Sequence, residues 1–208
     1  MVYTITRCSR PSFLTRVLTS IKESSDAAGI EQLIALLLID DEKVSDADAF
    51  KAVQDVDIAA YIRHFDPVPG DRYLVGAMNT AIQEDTLDNA WCLVVDDDDQ
   101  VLPGAFRAIK ANPDAELLIW NANNPCAYRS VVNDVHDLAP GRCIGHAGWS
   151  NIAFKAHLAK KHKLKVSNGT EDGYFLEACL ADGVKPVYTG EVGYYYIPAV
   201  EQQKQGLQ

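Results

Sequence analysis

The chain has 208 residues, 48% of them hydrophobic and 23% charged, with a formal net charge of −10. That is enough chain to bury a full core without disulfide or metal staples, and too apolar for a disordered chain. The acidic balance repels phosphate backbones, which excludes non-specific nucleic-acid binding as the main task but leaves room for a small anionic ligand where a metal ion neutralises it.

The opening Met-Val-Tyr-Thr-Ile-Thr-Arg lacks the basic and apolar regions of a secretory signal. Val2 to Thr6 is a short β-branched run that predicts a first strand. Pro11 and Ser12 open a helix whose apolar positions, Phe13, Leu14, Val17, Leu18 and Ile21, repeat at helical spacing, with Gly29 as its C-terminal cap. Leu33 to Ile39 is the longest apolar run, too short to span a bilayer, so no integral membrane segment is expected. It ends abruptly in Asp40-Asp41 and reads as a strand buried on both faces. Ser45 with Asp48 resembles a capping box and starts a second helix. Ile58 to Ile62 is a weaker strand. After a Pro-rich loop closed by Gly70, Tyr73, Leu74, Ala77, Met78, Ala81 and Ile82 form a helical stripe.

Trp91 to Val95 is another apolar strand, followed by Asp96 to Asp99. Pro103 sits where a first-turn proline starts the next helix, and Leu117 to Trp120 is a further strand. Strand and helix thus alternate over the first 120 or so residues, which favours a parallel α/β sheet. Residues 121–150 are rich in Asn, Gly, Pro and His and read as loops and short strands. Asn151 to Lys161 and Glu171 to Ala181 read as helices, the second ended by Gly183. Val184 to Tyr188 and Val192 to Ile197 read as two strands, and the Gln-rich tail after Pro198 as frayed. No repeat or linker divides the chain, so one domain is expected over 1–208: a half over 1–120, a second half over 121–197, and a tail over 198–208. Five scattered cysteines (Cys8, Cys92, Cys126, Cys143, Cys179) form no C-x-x-C pair. They read as free thiols in a reducing compartment, which makes the cytoplasm the expected location.

The strongest chemical feature is Val95-Asp96-Asp97-Asp98-Asp99. Adjacent like charges raise one another's pKa or require a counter-ion. In an extended chain Asp96 and Asp98 point to one side, and Asp97 and Asp99 to the other. Two same-side carboxylates at a strand's end suit Mg²⁺ or Mn²⁺, with ligand phosphates and water completing the shell. The edge beyond the strand ends is also where parallel α/β sheets bind ligands. A solvated acidic turn is the plain alternative; the second strand ending in acids, at Asp40-Asp41, weighs against it. The same string is similar to the D-x-D-x-T nucleophile motif of haloacid-dehalogenase-like phosphatases, with Asp96 as nucleophile and Asp98 as acid/base, although Gln100 stands at the Thr position.

The order of motifs resembles the family 2 type of glycosyltransferases with the GT-A fold. Thr4 to Pro11 looks like the family's opening strand and its "T-x-x-R-P" exit, and Leu38-Ile-Asp-Asp41 its "V-D-D-G-S" strand end, with Glu42-Lys43 for Gly-Ser. Gly76-Ala-Met-Asn79 resembles "A-R-N", with Met78 for Arg; Val95 to Pro103 resembles the "L-D-x-D-D-x-x-x-P" segment that carries the metal-binding D-x-D signature; Gly169-Thr-Glu-Asp172 resembles the late "E-D" motif. The resemblance implies a mostly parallel α/β sheet flanked by helices, with an irregular acceptor-side C-terminal part. It implies Mn²⁺ or Mg²⁺ as cofactor, a nucleotide-diphosphate sugar as donor and a hydroxyl acceptor, with inversion at the sugar. Thr6 and Arg7 would line the nucleotide pocket, and Asp41 or Asp40 would meet the base. Asp96 and Asp97 would lie at the nucleotide, Asp96 and Asp98 at the metal. Asp172 would be the general base, where the plain alternative is an acid favoured by a helix N-terminus. No Q-x-x-R-W motif is present, which speaks against a processive synthase. The alternatives are a phosphotransfer enzyme (that phosphatase or a sugar nucleotidyltransferase) and a non-catalytic domain that binds sugar or cation. Gly145-His-Ala-Gly-Trp149 reads as a loop with a packed aromatic and a solvated His146; the acidic balance disfavours nucleic acid as acceptor without excluding a modified base.

Overall fold

The protein, represented by a computed structural model, is described for residues 1–40, 42–65, 71, 74–123, 143, 148–166 and 170–197. Chain order runs β1 (Val2–Cys8), α1 (Pro11–Ala28), β2 (Leu33–Asp40), α2 (Asp46–Val56), β3 (Ala60–Phe65), α3 (Val75–Asp85), β4 (Trp91–Asp96), β5 (Gln100–Val101), α4 (Pro103–Ala111) and β6 (Leu117–Asn123). A single 3₁₀ turn (Trp149–Asn151) leads to β7 (Ile152–Lys155), α5 (Ala156–His162), α6 (Glu171–Ala181) and β8 (Val187–Tyr195). Asp41, Tyr73, Cys126, His146 and the Gln-rich tail lie outside the described residues.

The strands form one sheet in the order β3-β2-β1-β4-β7-β6-β8-β5. The first four are parallel, as the strand–helix alternation predicts. Strand β7 runs antiparallel between β4 and β6, and β8 runs parallel to β6. Because side chains alternate along a strand, each strand feeds two cores. On one face Val2, Cys8, Leu37, Ile39, Leu93 and Val95 pack with α1, α2 and α4. On the other, Tyr3, Ile5, Leu36, Leu38, Cys92 and Val94 pack with α3, α5 and α6.

Local signals explain most element boundaries. Pro11 occupies the first turn of α1, and Gly29 ends that helix at φ +67°. The Ser45 side chain accepts the Asp48 N–H and starts α2. Asp71 receives the Val75 and Gly76 N–H groups, each at 2.7 Å, and so caps α3.

Two expected elements differ. The helix read over Asn151 to Lys161 is strand β7 followed by the shorter helix α5. Ile152, Ala153 and Phe154 are all fully buried, because β7 fills the sheet between β4 and β6 with side chains on both faces. The two strands read over Val184 to Tyr188 and Val192 to Ile197 are one strand, β8, whose register against β6 slips around Asn121.

Candidate active site

Strand β4 does not stay extended through the acid run. It ends at Asp96, and the Asp99 N–H bonds back to the Asp96 carbonyl at 3.2 Å, which closes a turn. The predicted alternation survives the turn: Asp97 and Asp99 are 3% and 2% exposed, while the Asp96 and Asp98 side chains retain 35% and 17%. Four clustered carboxylates need compensation, and each has a partner, Arg10 serving two of them. Asp96 pairs with Arg7. Asp97 accepts the Ser9 backbone N–H at 2.9 Å and pairs with Arg10. Asp98 accepts from Arg10 at 3.0 Å, and Asp99 accepts the Ile197 N–H at 3.2 Å. The Tyr194 hydroxyl receives the Asp96 backbone N–H at 3.0 Å. Burial pushes the Asp97 carboxyl up, against the pull of Arg10. Burial also works against the charge on Arg10, but Asp97 and Asp98 outweigh it and hold that guanidinium above its usual range.

The Arg7–Asp96 pair follows from strand register. Strands β1 and β4 are parallel neighbours, and Arg7 lies directly opposite Asp96. Both therefore project to the same face of the sheet, the one covered by α3, α5 and α6. There Arg7 also comes within 4.0 Å of Glu171, the first residue of α6. Arg7 thus ties the C-terminal ends of β1 and β4 to the N-terminus of α6, where Asp172 sits. Asp172 accepts the Gly173 N–H at 2.6 Å, and its Oδ2 lies 3.5 Å from where a Cβ on Gly148 would stand. The Tyr196 hydroxyl is 3.5 Å from the same point, and Ser150 Oγ is 3.4 Å from it. Burial, with the nearby Glu171 and Asp96 charges adding to it, pushes the Asp172 carboxyl up to about 7 despite Arg7. A carboxylate poised there is matched to proton abstraction near neutral pH.

The arrangement brings Arg7, Asp96, Asp97, Asp98 and Asp172 to one sheet edge. It does not bring the Thr6 side chain there. Thr6 is fully buried on the α1 face, and its hydroxyl has no partner among the described residues. Asp40, 3% exposed, holds its own turn: it accepts the Glu42 N–H at 3.2 Å and pairs with Lys43 at 2.8 Å. A cleft of about 210 Å³ opens at the ends of β2 and β3, lined among others by Leu38, Arg63, His64, Phe65, Asp71 and Thr80. Met78, at the motif's Arg position, is a fully buried core residue, while Asn79 bonds both backbone groups of Leu164. Trp149 packs against Phe175 and Phe154, as a core aromatic would. Sequence reasoning assigned no role to Arg10, Glu171, Tyr194 or Tyr196. An acid run that must be neutralised, followed by a search for the nearest basic residues in the loop after β1, would have found Arg10.

Asp96 and Asp98 fit a divalent cation by donor chemistry. Both carry hard oxygen and keep part of their side chains exposed, 35% and 17%. Mg²⁺ and Mn²⁺ are commonly held by one or two carboxylates plus substrate phosphates. Among the described residues no group of three or more His, Cys, Asp or Glu is placed to hold a metal unaided, so the phosphates would complete the shell.

No protein-family model matches this chain, and no curated protein matches it by sequence. Its fold matches solved structures. Residues 1–349 of S. aureus TarS, in complex with UDP-GlcNAc, align with a TM-score of 0.67 at 13% identity, covering 94% of this chain and 58% of that one. The mannosyltransferase PcManGT from Pyrobaculum calidifontis, in complex with GDP-Man and Mn²⁺, gives 0.64 at 17% identity, covering 95% and 57%. Glucosyl-3-phosphoglycerate synthase from Mycobacterium tuberculosis, in complex with Mn²⁺, uridine-diphosphate and phosphoglyceric acid, gives 0.57 at 12%, covering 98% and 73%. The chain therefore has the mixed α/β fold of GT-A glycosyltransferases. It spans less than two thirds of the TarS and PcManGT chains it matches.

Proposed function

We propose that the protein is a metal-dependent, inverting glycosyltransferase that moves a sugar from a nucleotide-diphosphate sugar to a hydroxyl acceptor. The observation that carries this reading is the convergence of the acidic turn after β4 and the raised carboxyl of Asp172 on one sheet edge, linked through Arg7. The complexes of the structural neighbours with UDP-GlcNAc, GDP-Man and Mn²⁺ support the same substrate class.

Asp96 and Asp98 would hold Mn²⁺ or Mg²⁺, which would supply Lewis-acid neutralisation of the charge on a departing diphosphate. The cleft at the ends of β2 and β3, lined by Leu38 and Phe65, would take the nucleotide base; Phe65 pairs in register with Asp40. Asp172 accepts the proton of the acceptor hydroxyl as that oxygen attacks the anomeric carbon. One carboxylate on the side away from the leaving group gives inversion. The Asp172 carboxyl, the Tyr196 hydroxyl and Ser150 Oγ lie around the Gly148 backbone. The carboxylate must be free of its proton to act, so turnover rises with pH through about 7. Cys8, Cys92 and Cys179 are buried free thiols, and among the described residues no helix is long and apolar enough to cross a membrane.

Asp172→Asn tests the reading. Binding of UDP or GDP with Mn²⁺ should be unchanged, while transfer from the matching nucleotide-sugar falls ~10²–10⁴-fold. Near-normal transfer would place the base elsewhere.

A further inference from the structure

Arg10 stands apart from the other groups that neutralise the acid run. Arg7 is buried and shared between Asp96 and Glu171, so it is fixed by two elements. Arg10 sits at the start of α1, its side chain 40% exposed, and its fork spans Asp97 and Asp98. The pose is incompletely satisfied: Arg10 Nε is buried and has no hydrogen-bond partner among the described residues. A buried donor left unpaired carries a cost. The Asp98 oxygen that Arg10 holds at 3.0 Å belongs to a carboxylate assigned above to the cation.

We propose that Arg10 latches Asp98 in the unliganded protein and is displaced when a divalent cation binds. A guanidinium fork released beside a metal–diphosphate has the right chemistry to pair with a phosphate bidentately. The cation thus converts Arg10 from a ligand of Asp98 into a ligand of the donor, so cation and nucleotide strengthen each other's binding reciprocally. The turn has holds besides Arg10: the Ser9 N–H on Asp97, the Ile197 N–H on Asp99 and the Tyr194 hydroxyl on the Asp96 backbone.

The inference rests on the reading of Asp98 as a cation ligand, and the test separates the two. Free Mn²⁺ is titrated by electron paramagnetic resonance against wild type, Arg10→Ala, Arg10→Lys and Asp98→Asn, first alone and then with UDP or GDP. A latch that competes for Asp98 makes Arg10→Ala bind Mn²⁺ alone about 2- to 5-fold tighter than wild type, the range of a partly exposed ion pair. Arg10→Lys, which keeps the charge but loses the fork, falls between and carries the test if the alanine variant melts early. Added nucleotide then strengthens Mn²⁺ binding less in Arg10→Ala than in wild type. A residue that only braced the turn gives the opposite sign: Arg10→Ala binds Mn²⁺ more weakly. That result, or an unchanged affinity, overturns the latch, while loss of binding in Asp98→Asn still upholds the cation site. Wild type that takes up no Mn²⁺ with either nucleotide overturns both.

Discussion

At the scale of single residues, Asp172, the proposed base, would couple chemistry to stability. Its folded pKa is raised from 3.8 to about 7, chiefly by burial. The native state therefore holds a proton that the unfolded chain has already lost. Its stabilising effect is fully present below the unfolded value near 3.8 and is lost as pH rises through about 7. A shift of that size corresponds to about 4 kcal/mol at alkaline pH. Asp172→Asn removes the ionisation, so the variant should melt higher than wild type at pH 8 and the gap should close as pH falls towards 4. Thermal melts across that range check it; a gap that is the same at both ends removes the raised pKa. The same site should then show transfer activity climbing across neutral pH, in the direction opposite to stability.

At the scale of elements, the site is held by close backbone approaches that sequence patterns do not announce. A Cβ on Gly104, in the first turn of α4, would lie 2.2 Å from the Val192 carbonyl oxygen of β8. Backbone cannot yield as a side chain can, so Gly104→Ala must push α4 off β8. The loss should be at least the ~1–3 kcal/mol usual for overpacking, read from chemical denaturation. Strand β8 carries Tyr194, whose hydroxyl receives the Asp96 N–H, so the same variant should also weaken cation and nucleotide binding. The parallel half of the sheet was legible in the sequence because its strands are apolar runs cut by caps: Pro11, Gly29, Ser45 and Pro103 all stand where expected. Strand β7 was not legible. Its four residues, Ile-Ala-Phe-Lys, are too few to show a period, and the helix that follows immediately lends them its own. The two halves of β8 read as separate strands because Gly190 and Glu191 interrupt the apolar pattern, while backbone pairing to β6 carries the strand across.

At the scale of the whole molecule, the sheet's parallel order sets where chemistry can occur. Strands β1, β2 and β4 all deliver their C-terminal ends to one edge, and that edge collects Asp40, Arg7 and the acid run. The acidic residues were legible because buried strands ending in carboxylates are costly without a ligand or counter-ion. Their division of labour was not. Sequence alone does not say that the chain turns after Asp96, or that Arg10, just beyond β1, reaches Asp97 and Asp98. Nor does it show that Thr6 faces the core. These assignments depend on register and on which face each strand buries, and both are set by tertiary packing.

The central claim is that a divalent cation on the acidic turn holds the donor's diphosphate. Calorimetric titration of UDP and of GDP, each with and without Mn²⁺, into wild type and Asp98→Ala addresses it most directly. The account predicts binding of at least one nucleotide to wild type only when Mn²⁺ is present, and no such binding to Asp98→Ala. Equal nucleotide affinity with and without the cation, or an undiminished affinity in Asp98→Ala, would contradict it.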